Sequence, residues 1–243
     1  DLPRLVRAGR HIARTRRYIR DLGIEVEPDG LVTEVERQAA RGDGWVKIAA
    51  DWIDRDLGDL APTFPDDVLA AAIGRAHELG ARVAAHVFGE DALPGLIAAG
   101  IYSIEHGTGL TTDLLDEVVR RGIAVVPTLV NIDNNPDIAD QAAEKFPVYA
   151  AHMRALHATS RERVRQAFEA GVAIYPGTDA GGSVAHGRIR DEVVELVRAG
   201  IPQPEVIAQC SWRAREWLGL PGLTEGGPAD LVVYDADQRA DLS

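Results

Sequence analysis

HELGARVAAH at 77–86 carries the pattern that decides the fold. A polar, helix-period stretch stops at Gly80, and a short apolar run follows and stops at a histidine. The same unit recurs as IAAGIYSIEH at 97–106, VRRGIAVVPT at 119–128 and FEAGVAIYPGTD at 168–179. Gly80, Gly100, Gly122 and Gly171 suit the left-handed position that closes a helix before a strand. Each apolar run is about five residues long, too short for a helix and nearly unbroken in hydrophobicity, as a parallel strand buried on both faces reads.

Working outward, GDGWVKI at 42–48 fits the same scheme, and RLVRAGRHI at 4–12 reads as one more strand. Helices are expected over 31–41, 66–79, 91–99, 111–121, 158–170 and 188–199, with Asp66, Thr111 and Ser160 as N-caps. Alternating strands and helices without antiparallel hairpin signals mean an α/β fold, either a doubly wound sheet or a (β/α)8 barrel. The count is six strands, two short of a closed barrel. Two connections, 49–64 and roughly 130–157, are longer than usual and follow strand C-termini, so they are read as substrate-covering segments. After 203 come two short helices around SWRAREWLGL (211–220), then GGPADLVVYDADQ (226–238), which reads as an isolated strand.

The bulk numbers exclude several functional classes. With 243 residues, 46% hydrophobic and 26% charged, the chain can bury a substantial core. A formal net charge of −12 opposes nonspecific attraction to nucleic acid or an anionic membrane. No apolar stretch reaches the roughly 18 residues of a spanning helix, and no apolar signal region follows Asp1-Leu2-Pro3-Arg4. A single cysteine, Cys210, allows no intrachain disulfide and suits a reducing cytoplasm.

The chemistry sits where the strands end. Lys47 lies in WVKI, His86 ends RVAAH, His106 ends IYSIEH and Asp179 ends VAIYPGTD. In a parallel barrel those ends converge on one face. Two imidazoles and a carboxylate are donors that a divalent ion, zinc foremost, accepts. Such an ion lowers the pKa of a water to about 7, and Asp179 is placed to take its proton. A lone histidine at a strand end is more often structural, but three such residues at equivalent strand ends reverse that reading. Lys47 in an apolar run needs a partner or a modification, because a buried cation is costly. His77 falls within a helix, and His11, His152 and His157 lack a comparable context; all four are read as structural.

At these residues the chain resembles the amidohydrolase superfamily, in particular its imidazolonepropionase-like and prolidase-like branch. The resemblance spans nearly all of 1–238 and rests on WVKI, AAHVFGEDAL, SIEHGTGL, PTL, YPGTDAGGSVAHG with Glu192 following, SWRAREWLGL and GGPADLVVYDAD. It implies a distorted (β/α)8 barrel over 1–222, with Lys47, His86, His106 and Asp179 on its fourth, fifth, sixth and eighth strands. Residues 223–243 would be a return strand to a small β-sandwich domain. The resemblance further implies a lysine carboxylated by CO₂ that bridges two metal ions, His86 and His106 on the second ion and Asp179 on the first. It places His186 and Tyr18 against the substrate. Arg188 suits a substrate carboxylate equally with a solvated helix start. The implied activity is hydrolysis of an amide-type C–N bond in a dipeptide, N-acyl amino acid or cyclic amide. The partner is then a small molecule, and a homo-oligomer is compatible with such a barrel.

One departure matters. The family's first-strand His-x-His pair has no counterpart here, and neither do the strands that would pair with 226–238. The expectation is that residues preceding Asp1 supply them, because an apolar return strand without partners is an aggregation hazard. The alternative is a non-catalytic or truncated amidohydrolase-like domain. A phosphate-binding barrel using Gly177, Gly181 and Gly182 is disfavoured, since Asp179 would repel the phosphate.

Overall fold

The computed structural model describes residues 5–235 and 237. Its strands are β1 (Ile12–Arg14), β2 (Ile24–Val26), β3 (Trp45–Ala49), β4 (Asp51–Asp54), β5 (Asp59–Pro62), β6 (Arg82–Val87), β7 (Ser103–His106), β8 (Ala124–Val126) and β9 (Ala173–Ile174). The helices are α1 (Leu31–Ala39), α2 (Asp66–Glu78), α3 (Leu93–Ala99), α4 (Leu115–Arg121), α5 (Leu129–Ile132), α6 (Asn135–Ala142), α7 (Pro147–Glu169), α8 (Ile189–Arg198), α9 (Gln203–Cys210) and α10 (Trp212–Leu218).

Seven strands form one parallel sheet in the order β2-β1-β3-β6-β7-β8-β9. The six expected strand positions become six successive neighbours in it, β1 through β9, and β2 adds an edge. Pleating divides the side chains between two faces. Val46, Ile48, Val83, Ala85, Val87, Ile104 and Val125 face the helices and join Leu69, Ile73 and Leu96 in the main core. The alternate residues, among them Lys47, His86 and Glu105, share the inner face.

At the strand N-termini that inner face is filled by aromatic rings. Trp217 from α10 stacks on Tyr175 at 4.5 Å between centroids and packs against Trp45 at 5.1 Å. The Arg82 guanidinium lies over Tyr102 at 4.8 Å and donates to the Trp217 carbonyl at 2.8 Å. This end is a packed plug, which leaves the strand C-termini as the face open to chemistry.

Several local expectations are corrected. The first strand is Ile12–Arg14 rather than 4–12. The connection 49–64 holds the antiparallel hairpin β4–β5, closed by a tight turn in which Gly58 has φ +76°. The segment 130–157 is mostly helical, and the helix expected at 158–170 is the end of the 23-residue α7. Ser160 therefore sits mid-helix, donating to the His157 carbonyl at 2.8 Å. Asp66 is the first residue of α2 after Pro65, and neither that N-cap nor Thr111 makes a side-chain capping bond. Residues 226–235 form no strand, and Leu231, Val232, Val233 and Tyr234 are exposed. The remainder of the expected return strand, 236 and 238, lies outside the described residues, as do 1–4. Among the described residues no helix is long and apolar enough to cross a membrane.

Trp217 anchors the plug through both its ring and its backbone carbonyl. Trp217→Ala is expected to cost about 3 kcal/mol in urea unfolding while leaving the environment at the strand C-termini unchanged. A loss below about 0.5 kcal/mol would show that the plug contributes little.

Candidate active site

Lys47 lies in the middle of β3, and its neighbour in register is Ala84; two residues further along, Ala49 pairs with His86. His86 in turn pairs with Glu105 on β7. Parallel register and pleat together therefore gather Lys47, His86 and Glu105 on the inner face near the strand C-termini. The Lys47 ammonium lies 3.6 Å from Glu105 Oε2, and Glu105 also accepts from Ser103 Oγ at 2.5 Å. Burial pushes the Lys47 pKa down, against the upward pull of Glu105 and Asp179.

By simple alternation His106 would follow Ile104 onto the helix-facing side. Its backbone instead turns left-handed, with φ +68°, and its ring meets the His86 ring at 4.7 Å between centroids. Three of the five non-glycine residues with positive φ among the described residues are His106, Thr128 (φ +49°) and Asp179 (φ +52°). Such conformations cost about 1–3 kcal/mol each and persist only where surrounding contacts enforce them. Here they cluster at one place. Thr128 Oγ1 lies 2.6 Å from His106 Nδ1, and Asn131 Nδ2 donates to Asp179 Oδ2 at 3.1 Å.

Burial holds both imidazoles neutral, pushing the pKa values of His86 and His106 well down, with neighbouring cationic groups adding to the effect. His86 Nε2 is buried without a hydrogen-bond partner; Asp51 Oδ1 is the nearest carboxylate oxygen, at 3.7 Å. Asp51 is itself committed elsewhere. Its carboxylate accepts the Phe88 N–H at 3.0 Å and the Gly89 N–H at 2.6 Å, and burial, opposed by those donors, raises its pKa to about 7. The same loop is locked from above, since a Cβ at Gly109 would fall 2.3 Å from the Gly89 carbonyl carbon.

The hairpin β4–β5 roofs this cluster. Tyr18 packs edge-on against Trp52 at 4.8 Å and His86 at 5.3 Å between ring centroids. Arg17 fastens the roof, bonding Asp54 at 2.7 Å and the Trp52 and Ala61 carbonyls at 3.0 Å. Further out, His152 bridges Asp59 at 2.9 Å and Glu90 at 3.0 Å, tying α7 to the hairpin.

The structure thus brings Lys47, His86, His106 and Tyr18 together, with Asp179 at the exposed rim. His186 is exposed, and Arg188 is exposed and ion-paired with Asp191 at the start of α8. His11, whose sequence context marks it only as structural, also borders the cluster. It is largely buried, 6.1 Å from the Tyr18 ring, and burial with nearby Lys47 lowers its pKa to about 4. Its position just before β1, level with Lys47 across the sheet, was a usable signal. Glu105 was another, because it shares the inner face with Ser103. Asp51, Thr128 and Asn131 act through loop contacts that no spacing announces. Among the described residues no three His, Cys, Asp or Glu side chains converge as a ready-made cation cluster.

Residues 11–243 match the family model described as Amidohydrolase family. Uncharacterized proteins of Mycobacterium tuberculosis and Mycobacterium bovis are 57% identical over 240 residues. That match covers 98% of this chain and 65% of theirs, so the chain spans less than two thirds of their length. Among solved structures, a Xaa-Pro dipeptidase with bound methionine is similar at 25% identity and TM-score 0.69, over 84% of this chain and 51% of that one. The A. niger ochratoxinase aligns at 21% identity and TM-score 0.80, over 97% and 60%. A prolidase complexed with N-methylphosphonate-L-proline aligns at 24% and 0.72, over 97% and 63%. These last two show a shared fold.

Asp51→Ala would strand two buried N–H groups, at a cost of about 1–3 kcal/mol per group. Urea unfolding is expected to register a loss of about 3 kcal/mol, with histidine NMR signals shifted at His86. Unchanged stability would mean that the loop after β6 does not depend on this carboxylate.

Proposed function

Because this chain belongs to the amidohydrolase family, we propose that it forms most of the catalytic barrel of a metal-dependent hydrolase that cleaves an amide-type C–N bond. The observation that carries this reading is His86 Nε2, a buried ring nitrogen without a partner, set against a second neutral imidazole 4.7 Å away between centroids. A buried acceptor left unsatisfied is costly unless something binds it. Neutral imidazole is the form that ligates a cation.

The residues here fit part of a ligand shell. His86 and His106 would hold a divalent ion, zinc being the first choice for this donor set, with Asp179 and Lys47 at its side. A divalent ion supplies Lewis acidity and makes water a usable nucleophile near neutral pH. Asp179 then serves as general base, its carboxylate oriented by the Asn131 amide. Lys47 takes part as a neutral amine, a form that burial favours; carboxylation by CO₂ would convert it into an anionic bridge between two ions. The Lys47–Glu105 contact is the competing arrangement, an ordinary ion pair that needs no modification.

The Xaa-Pro dipeptidase and prolidase likenesses favour a dipeptide, and the Tyr18–Trp52 roof favours an apolar group beneath it. His186 and Arg188 lie on the loop after β9, where they would meet the polar end of a substrate. In the same proposal, 223–243 would supply the return strand of a small β-sandwich once its partner strands are present, which the exposed Leu231–Tyr234 run supports.

Full-length, metal-loaded protein is expected to hydrolyse at least one class among dipeptides, N-acyl amino acids and cyclic amides, and to lose that activity to chelation. Asp179→Asn should lower kcat by about 10²–10⁴-fold with circular dichroism unchanged. Retained turnover in that variant would remove Asp179 as base, and absence of bound transition metal in protein purified without chelator would remove the metal-dependent reading.

A further inference from the structure

We infer that Glu192 is a positioning residue that aims His106 and Asp179 through the loop Thr128-Leu129-Val130-Asn131; the inference rests on the site proposed above but concerns this chain's own contacts. Glu192 lies on α8 with its side chain fully buried. Both carboxylate oxygens are used, Oε1 accepting the Leu129 N–H at 2.9 Å and Oε2 the Val130 N–H at 2.8 Å. These two N–H groups begin a helix of four residues and so have no partner one turn back. The carboxylate therefore fixes the peptide planes on either side of Leu129.

The clamped segment reaches the site at both of its ends. The residue before it is Thr128, whose hydroxyl engages His106 Nδ1 at 2.6 Å. The residue after it is Asn131, whose amide donates to Asp179 Oδ2 at 3.1 Å. Thr128, His106 and Asp179 all hold left-handed backbones, with φ +49°, +68° and +52°, and such conformations need an external brace. A second contact grips the far end of the same turn. Arg161 on α7 bonds Asp133, the C-cap of α5, at 2.9 Å and Glu195 on α8 at 2.6 Å. One helix thus braces both ends of α5.

The chemical consequence concerns the His106 ring: in the tautomer whose Nδ1–H donates to Thr128 Oγ1, the lone pair of Nε2 is left free for a cation. Partners of this kind, acting behind a ligand, set ring orientation and basicity. If the loop slips, the hydroxyl no longer holds the ring through Nδ1 and Asn131 no longer restrains Asp179.

The test reads the His106 ring directly, by long-range ¹H–¹⁵N NMR of the metal-free chain, alongside Co²⁺ affinity measured by competition titration. In the unaltered chain His106 is expected as a single tautomer protonated at Nδ1. Glu192→Gln and Thr128→Val should each give a tautomer mixture and weaken Co²⁺ binding by about 10–100-fold. Thr128→Ser, which restores the hydroxyl, should return both readouts to within about threefold of the unaltered chain. Thr128→Val guards against a Glu192 variant that fails to fold. A His106 tautomer unchanged in Glu192→Gln, or lost equally in Thr128→Ser and Thr128→Val, would overturn the inference. If the unaltered full-length protein binds no Co²⁺, the metal reading fails, while the tautomer still decides the role of Glu192.

Discussion

The parallel register of β3, β6 and β7 is the constraint on which the site depends. Because Ala49 pairs with His86 and His86 with Glu105, three residues distant in sequence stand side by side on one face. A shift of one residue in any of these strands would turn its polar side chain into the helix-packed core and its valines and isoleucines inward. The apolar set Val46, Ile48, Val83, Ala85 and Ile104 therefore fixes the polar set as firmly as it fixes itself. Packing energy on the outside of the sheet buys position on the inside.

The same burial sets the chemical state of the site. Lys47, His86, His106 and the neighbouring Asp51, removed from water, all move toward their neutral forms. Neutral imidazoles beside a buried amine make poor structural polar groups and good ligands. Stability is supplied at the opposite end, where Trp45, Tyr102 and Trp217 close the strand N-termini around Arg82 and Tyr175, just past β9, stacks on Trp217. Division of a barrel into a stabilising end and a reactive end is the usual arrangement, and in this chain it can be assigned residue by residue. The left-handed backbones at His106, Thr128 and Asp179 fall on the reactive end, where conformational cost is tolerated because neighbouring elements hold it.

Much of this was legible in the residues alone. The helix–glycine–strand repeat at 77–86, 97–106, 119–128 and 168–179 marks strands in their true order, since left-handed glycines and short apolar runs are local signals. Lys47, His86 and His106 stand out because a polar side chain within or at the end of such a run is costly to bury unless a partner or ligand meets it. The hairpin β4–β5 was missed because its turn lacks the usual Asn-Gly or Asp-Gly at the centre, and Asp51–Asp54 carries two aspartates, which strands disfavour. The first half of α7 escapes the sequence reading because its buried residues Tyr149, Ala150, Met153 and Leu156 pack in a separate, smaller cluster, while the buried Val164 and Ala167 of the same helix join the main core. Thr128, Asn131 and the clamp by Glu192 are invisible for a different reason: their partners lie on other elements, and only the folded chain brings them into contact.

The most direct test of the central claim is anomalous diffraction from crystals of the full-length protein grown with zinc, recorded on both sides of the zinc absorption edge. The account predicts an anomalous peak within bonding distance of His86 Nε2 and a nitrogen of His106, with Lys47 and Asp179 facing the same ion or its neighbour. A peak elsewhere, with the His86–His106 pair bare, would contradict it.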